Sequence, residues 1–166
     1  MIDSLDPIWE PDPDADRQFM QMAIREAKRA AERDEVPVGA IIVHQGRIVG
    51  RAHNQREMLR DPTAHAEMLA ITQAAEALDR WRLFDTVLYV TLEPCTMCAG
   101  AIVLARIPRL VFGAIDPKAG ACGSVLDATR HPALNHRVDV CGGLLEDECG
   151  FLLREFFAEK RRQGKK

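Results

Sequence analysis

With 166 residues, of which 47% are hydrophobic, the chain is long enough for one domain with a full apolar core. It has no apolar run near the roughly 18 residues that a membrane helix needs. Its acidic N-terminus also lacks the basic and apolar segments of a secretory signal. We therefore expect a cytoplasmic protein with no membrane partner.

The net charge of −3 argues against a strongly basic nucleic-acid-binding protein, but the charge is unevenly distributed. Residues 1–16 contain six acidic residues and no basic one, so the remainder has 22 basic against 19 acidic residues. The C-terminal stretch is locally basic. This distribution permits a nucleic-acid partner, and it equally fits an ordinary solvated helix end.

The N-terminal third predicts a tail, a helix and a hairpin. Residues 1–15 are rich in proline and acids, which predicts a disordered acidic tail before a single domain over 16–166. Apolar residues at helical spacing predict a helix over 16–33. Two β-branched runs, 38–43 and 47–50, flank turn residues and predict a hairpin.

The rest of the chain alternates between strands and helices. We predict a helix over 62–79, a strand over 86–91, a helix over about 95–105 that opens with Pro94, a strand over 110–113, a long connection over 114–135, a fifth strand over 137–141 and a closing helix over 147–162. This order predicts an α/β fold: a three-layer α/β/α domain with a mixed five-stranded sheet.

Two short motifs contain metal-ligand residues, His-Ala-Glu at 65–67 and Pro-Cys-Thr-Met-Cys at 94–98. His65, Cys95 and Cys98 supply three zinc ligands, which leaves a fourth position for water, as in a catalytic zinc site. The two cysteines are three residues apart at a helix start, so they share a face, and the helix dipole there favours thiolates.

Glu67 is the candidate for proton transfer. It lies two residues after His65, so the two side chains do not share a helical face and Glu67 is a poor fellow ligand. Zinc lowers the pKa of its bound water toward ~7. Glu67 can take that proton and pass it to a ring nitrogen and then to a leaving amine. The two motifs together are typical of zinc nucleobase deaminases and predict hydrolytic deamination.

Other interpretations of these motifs are open. The Cys-x-x-Cys pair alone also fits a redox or structural site, and an odd number of cysteines fits a reducing compartment better than a disulfide framework. From their apolar contexts we expect Cys141 and Cys149 to be buried core residues, while Cys122 fits either role. A structural zinc site would take a fourth ligand from Cys122, Cys141, Cys149, His53, His131 or His136.

At these motifs the chain resembles the bacterial tRNA-specific adenosine deaminases of the cytidine-deaminase-like superfamily. The likeness spans about residues 17–162. It is carried by the segments 35–40, 61–67, 91–101, 111–114, 116–121 and 135–138. The resemblance implies formation of inosine at the wobble position of a tRNA anticodon, with one Zn²⁺ per subunit, the anticodon arm as partner and a homodimer with active sites near its interface. The acidic tail has no counterpart in the familiar pattern, and His53 stands where an aromatic residue is usual.

The resemblance also implies residue roles. His65, Cys95 and Cys98 would bind zinc, and Glu67 would move protons. Asn54 would contact the base, although it also fits a turn residue that ends a strand. The other implied contacts are the backbone amides of Ala66 and Cys95 near the zinc-bound water, a pocket wall of Val36, Pro37 and Val90, Asp116 at a ribose 2′-OH, Lys118 at phosphate, and Phe157 of the pair Phe156–Phe157 at RNA, with core packing for one of the two rings.

Two rival functions remain. A small-molecule deaminase of guanine, cytosine or a nucleotide would share the zinc site and its mechanism. The segment 111–138 and the basic last helix favour RNA over such a substrate. A non-catalytic RNA-binding subunit would not need Glu67, so its presence argues against that class.

Overall fold

A five-stranded mixed sheet with strand order β2-β1-β3-β4-β5 lies at the centre of the computed structural model, which describes residues 12–165. β1 pairs antiparallel with β2 and β3, and β3, β4 and β5 are parallel. The elements are α1 (Pro13–Glu32), β1 (Gly39–His44), β2 (Arg47–His53), α2 (Arg56–Leu59), α3 (Ala66–Ala77), β3 (Thr86–Leu92), α4 (Thr96–Leu104), β4 (Arg109–Ala114), β5 (Asp139–Gly142) and α5 (Glu146–Arg162).

Each face of the sheet is covered by helices, which confirms the predicted three-layer α/β/α fold. Successive side chains of β3 point to opposite faces, as strand geometry requires. Leu88 packs with residues of α3 and α4, whereas Tyr89 packs with residues of α1 and α5. Gly39 lets α1 lie directly on β1, because a Cβ there would be 2.0 Å from the carbonyl oxygen of Ala23. No helix in the stretch 12–165 is long and apolar enough to cross a membrane.

Several predicted boundaries shift. α1 begins at Pro13, not residue 16, because the Asp12 side chain accepts hydrogen bonds from two amides of the first turn. Residues 13–15 of the predicted tail thus belong to α1, and residues 1–11 lie outside the described residues. α3 begins at Ala66, because Asp61 accepts a hydrogen bond from the amide of Thr63 and forms a turn where a helix was predicted.

The ends of the later elements also differ from the prediction. Pro94 lies before the cap of α4, and the cap is Cys95. β5 is displaced to 139–142, and the short helix α2 was not predicted. Cys149 is buried, as expected, but the prediction for Cys141 is wrong: it is exposed, because β5 is the edge strand and lacks a helix over that position.

An ion pair joins three elements at the end of the sheet where β3 and β4 begin. Arg109, the first residue of β4, donates two hydrogen bonds to the Asp16 carboxylate, at 2.8 and 2.7 Å. The hydroxyl of Tyr89 on β3 donates a third, at 2.7 Å. Asp16 and Arg109 are both buried, so this network fixes α1 against the sheet. The two metal-ligand motifs, 65–67 and 94–98, lie at the other end of the sheet, where the parallel strands end and ligands usually bind.

Candidate active site

Three side chains from two helix starts converge at the carboxyl end of β3. His65 is the cap residue of α3, and Cys95 is the cap residue of α4. The Nδ1 atom of His65 lies 3.7 Å from the sulfur of Cys95 and 3.6 Å from the sulfur of Cys98. Zinc–nitrogen bonds of about 2.05 Å and zinc–sulfur bonds of about 2.3 Å at tetrahedral angles would place these atoms about 3.6 Å apart. The cluster therefore has the spacing of a zinc site.

The cluster supplies three ligands. The ligand atoms of His65, Cys95 and Cys98 all lie within 4.8 Å of one another. In the described part of the chain, neither Glu67 nor Cys122 joins this group. Three protein ligands are the number found in catalytic zinc sites, where the fourth position takes water or substrate. The arrangement thus disfavours a structural site with four protein ligands.

Hydrogen bonding within the cluster favours one thiolate. Bonds from Cys98 and His65 lower the pKa of Cys95 to about 3. The bond to Cys95, together with burial, raises the pKa of the Cys98 thiol. The bond to Cys95 likewise raises the pKa of His65. A metal ion would displace the protons of this cluster, because these residues bind metals in their deprotonated forms.

Glu67 lies in the first turn of α3 and is buried, with 4% of its surface exposed. Burial raises the pKa of its carboxyl group to about 7. Its side chain lines the same cavity as His65 and Cys95. A carboxyl group that can gain or lose a proton near neutral pH, beside an open metal position, is suited to general acid–base catalysis.

Asn54 follows β2 and links three parts of the site. Its side-chain Oδ1 atom accepts a hydrogen bond of 2.9 Å from the backbone amide of Ala66. The backbone amide of Asn54 donates a hydrogen bond to the backbone carbonyl of Val38. The Ala66 amide, which the resemblance placed near the zinc-bound water, is therefore occupied by Asn54. This leaves the side-chain NH₂ of Asn54 as its group for a base. His53 is buried behind it, with Nδ1 2.9 Å from the Asn54 carbonyl oxygen.

A cavity of about 420 Å³ opens beside the cluster. Of the expected wall residues, Val36 lines it, but Pro37 and Val90 do not. Pro37 lies at the centre of a tight turn, closed by a hydrogen bond of 2.8 Å from the Val38 amide to the Val36 carbonyl, and only the two valines that flank it line the cavity. Val90 is one pleat too deep in β3 and packs in the core, whereas Leu92 lies at the strand end and lines the cavity.

The loop after β4 forms another wall of this cavity and includes Asp116 and Lys118. The Oδ1 atom of Asp116 accepts hydrogen bonds from the amides of Lys118 and Ala119, at 3.0 and 3.1 Å. The amide of Asp116 in turn donates to Glu93, which is buried. Asp116 thus shapes the loop with one carboxylate oxygen, and the other has no hydrogen-bond partner among the described residues.

Phe157 lines the cavity and is 44% exposed. Its ring lies edge-to-face with that of Phe156, with centroids 5.5 Å apart. Neither ring is buried, so the expected core packing of one of the two is wrong. Cys149, Leu152 and Leu153 supply the core contacts of α5 instead, because they lie on the helix face that meets α1 and the sheet.

A second cavity of about 800 Å³ adjoins the first and shares Val36, Arg56 and Phe157 with it. Its lining includes four cationic side chains and three acidic ones, namely Arg56, Lys160, Arg161, Lys165, Asp34, Glu35 and Glu57. Asp34 forms ion pairs with Lys160 and Lys165, at 2.6 and 3.8 Å. Arg56 was not predicted, because a lone arginine in a short helix gives no sequence signal. The site therefore extends from the metal cluster toward the charged C-terminal half of α5, where the cationic side chains outnumber the acidic ones by one.

The comparisons agree with this geometry. A family model of MafB19-like deaminases matches residues 14–161. A tRNA-specific adenosine deaminase of Bacillus subtilis (strain 168) is 51% identical over 150 residues, which are 90% of this chain and 93% of that protein. The chain belongs to the tRNA-specific adenosine deaminase family.

The fold of this family member is also similar to those of solved deaminase structures. One comes from studies of A-to-I editing by tRNA:A34 deaminases at the wobble position of transfer RNA. It is 51% identical with a TM-score of 0.79, and the match covers 82% of this chain and 99% of that one. A guanine deaminase from Nitrosomonas europaea has a TM-score of 0.73 at 26% identity, covering 95% and 98%. The fold alone is thus shared with a deaminase of another substrate.

Proposed function

We propose that the chain is a zinc-dependent hydrolase that converts adenosine to inosine at the wobble position of a tRNA anticodon. We propose one Zn²⁺ per subunit, a homodimer and, since tRNA is its substrate, a cytoplasmic location. The observation that carries the chemistry is the three-ligand cluster of His65, Cys95 and Cys98 with buried Glu67 in the same cavity. The substrate class is supported by the 51% identity to a tRNA-specific adenosine deaminase.

The residues divide the reaction between them. His65, Cys95 and Cys98 would hold the zinc, which when bound lowers the pKa of a water molecule and supplies it as nucleophile. Glu67 accepts a proton from the attacking water and delivers protons to the ring nitrogen N1 and to the leaving amine. Water thus adds at C6 of adenine, the C6–N bond breaks, and adenosine and water give inosine and ammonia.

Asn54 and the cavity walls position the base. The Asn54 Oδ1 atom is held by the Ala66 amide, which fixes the side-chain rotamer and turns the NH₂ group into a directed donor. Val36, Val38 and Leu92 supply apolar surface for the ring. Such pre-set contacts align the base with the nucleophile before reaction, which lowers the entropic part of the barrier.

The second cavity favours RNA over a free base. A purine base needs only the space beside the metal cluster, whereas the site continues past Arg56 and Phe157 to the cationic side chains of α5. Phosphates bind to lysine and arginine, and splayed bases stack on exposed aromatic rings such as Phe157. The alternative is a small-molecule deaminase, which the shared fold of the guanine deaminase keeps in consideration.

The experiment is mass-spectrometric detection of inosine after incubation of the protein with total tRNA. Parallel samples contain free adenosine, guanine, cytosine or cytidine. We expect inosine at the first anticodon position and no change in the free bases and nucleosides. Deamination of a free base without a tRNA product would favour the small-molecule alternative. Light scattering of the same preparation tests the homodimer, because a single monomer mass would contradict it.

A further inference from the structure

Glu93 holds the loop after β4 against the metal-binding helix start, although no role was predicted for it. It follows β3 directly and is 2% exposed. One carboxylate oxygen accepts from the amide of Asp116 at 3.0 Å and from the hydroxyl of Ser124. The other accepts from the amides of Cys122 and Ser124, both at 3.1 Å. A single buried side chain therefore satisfies four donors of one loop.

The neighbouring contacts reinforce this arrangement. The carbonyl of Pro94 accepts a hydrogen bond of 2.9 Å from the amide of Ala121. A Cβ atom on Gly120 would lie 2.4 Å from the carboxylate of Glu93, so only glycine lets the loop approach this closely. The loop is thus fixed to Glu93 and Pro94, the two residues immediately before the metal ligand Cys95.

The same loop forms one wall of the cavity. All residues of its segment 115–119, including Asp116 and Lys118, line the cavity together with Glu67, His65 and Cys95. The amide that Glu93 binds is that of Asp116 itself. The position of this wall relative to the metal ligands is therefore set by one carboxylate.

We propose that Glu93 is a positioning residue that fixes the 115–119 wall relative to the metal cluster and thereby sets affinity for a ribose-bearing substrate. The inference rests on the proposed function for its substrate. Glu93 also borders the cavity, but both of its carboxylate oxygens already accept hydrogen bonds from donors of the loop. Glu93 acts through Asp116, a cavity-lining residue whose second carboxylate oxygen has no hydrogen-bond partner among the described residues. Loss of the clamp lets this side chain move away from its ligand.

The test replaces Glu93 by glutamine, which keeps the volume but exchanges one acceptor oxygen for an NH₂ group. If the glutamine oxygen takes the position that accepts from the backbone amides of Cys122 and Ser124, its NH₂ group faces the backbone N–H of Asp116. Two donors then face each other, and the hydrogen bond to Asp116 is lost. Ser124→Ala removes only the hydroxyl donor. Glu76→Gln makes the same chemical change at an exposed position of α3 and is the matched control.

We expect E93Q to raise KM for an anticodon stem-loop RNA at least about tenfold, since small misplacements of positioning groups have effects of this size. The value of kcat should change less than KM, and zinc per chain should equal that of the wild type. Hydrogen exchange should be faster in peptides covering 115–124 but not in 96–104. S124A should raise KM and speed hydrogen exchange in 115–124 by smaller amounts than E93Q, and E76Q should match the wild type in both measurements.

Two results would overturn the proposal. Unchanged KM and unchanged exchange in 115–124 would show that the loop holds without Glu93. Loss of zinc with E93Q would show that Glu93 serves the metal site instead. If E93Q does not fold, S124A decides by the same two readouts. If the wild-type protein deaminates no RNA, the proposed function fails, whereas hydrogen exchange still tests the clamp on its own.

Discussion

The two ends of the central sheet each hold a buried carboxyl group, and the difference between them lies in their partners. Burial raises the pKa of Glu67 to about 7, and in the described chain no lysine or arginine pairs with it. Burial also acts to raise the pKa of Asp16, but hydrogen bonds from Arg109 and Tyr89 outweigh this and hold that pKa below its ordinary value. A paired buried carboxylate is a fixed charge that supports structure, whereas an unpaired one can exchange a proton.

The largest expected effect is on kcat, and it separates two equivalent substitutions, each of which changes a buried carboxyl group into an amide, one at each end of the sheet. Glu67→Gln keeps the volume but removes the exchangeable proton, so kcat should fall at least about 10²–10⁴-fold. Zinc per chain and the unfolding midpoint should remain close to those of the wild type. Asp16→Asn should leave activity per folded molecule unchanged. Steady-state kinetics with metal analysis checks both.

One outcome would break the comparison. If E67Q loses zinc together with activity, Glu67 is a metal ligand and its burial has nothing to do with proton transfer. A folded D16N protein with an equally large loss of kcat would show that the two ends of the sheet are coupled.

The second expected effect is on stability. Asp16→Asn removes the buried, doubly hydrogen-bonded ion pair of Arg109 and leaves its guanidinium only the longer contact of 3.7 Å with the exposed carboxylate of Asp139. Breaking a buried pair in this way costs about 3–5 kcal/mol in free energy of unfolding. Urea denaturation measures it. Asp14→Asn is the control, because Asp14 lies in the same helical turn but is exposed. A loss below about 1 kcal/mol, the range of surface pairs, would mean that the Asp16–Arg109 pair is screened by water.

The pH dependence of stability is a smaller effect with a definite sign. Because the folded pKa of Asp16 is lowered, its stabilisation is complete above the unfolded value of about 3.9 and is lost as the pH falls through the folded pKa. Between pH 5 and 2 the wild type should therefore lose more stability than D16N. Equal slopes in acid denaturation series of the two proteins would contradict the lowered pKa.

The sequence predicted those parts of the fold that depend on local pattern. Strands such as 86–91 are apolar runs, and the metal ligands lie in motifs of fixed spacing. The early start predicted for α3 failed because a side-chain turn at Asp61 replaces the helix. The resemblance implied Val90 as a pocket wall, whereas Leu92, two residues further along β3 at the strand end, lines the cavity.

Roles that depend on tertiary contacts could not be predicted. The four donors of Glu93 come from residues 23 to 31 positions further along the chain, and Arg56 meets the cavity only because α2 lies beside it. Asn54 was predicted as a base contact, but its bond to the Ala66 amide was not. Each of these requires the path of a loop, which residue spacing does not contain.

The smallest expected effect extends the comparison to the surface charges at the two ends of the sheet. Arg161 and Lys165 line the second cavity beside the active site. Their joint replacement by glutamine should weaken tRNA binding and reduce the slope of log affinity against log salt by about 1, as expected for loss of one or two phosphate contacts. Titration of binding at several salt concentrations measures this slope.

Arg47 is the matched control, because it is exposed beside the β1–β2 turn, at the end of the sheet away from the cluster. Arg47→Gln removes one positive charge at that end of the sheet. An effect that this variant shares with the α5 variant therefore reflects the net charge of the protein and not a direct contact with phosphate. If the slope changes per charge equally in both, RNA is attracted by the whole protein and the basic wall of the second cavity is not a phosphate site. If only the α5 variant changes the slope, the RNA contacts lie at the same end of the sheet as Glu67, and the division into a reactive and a structural end includes the surface.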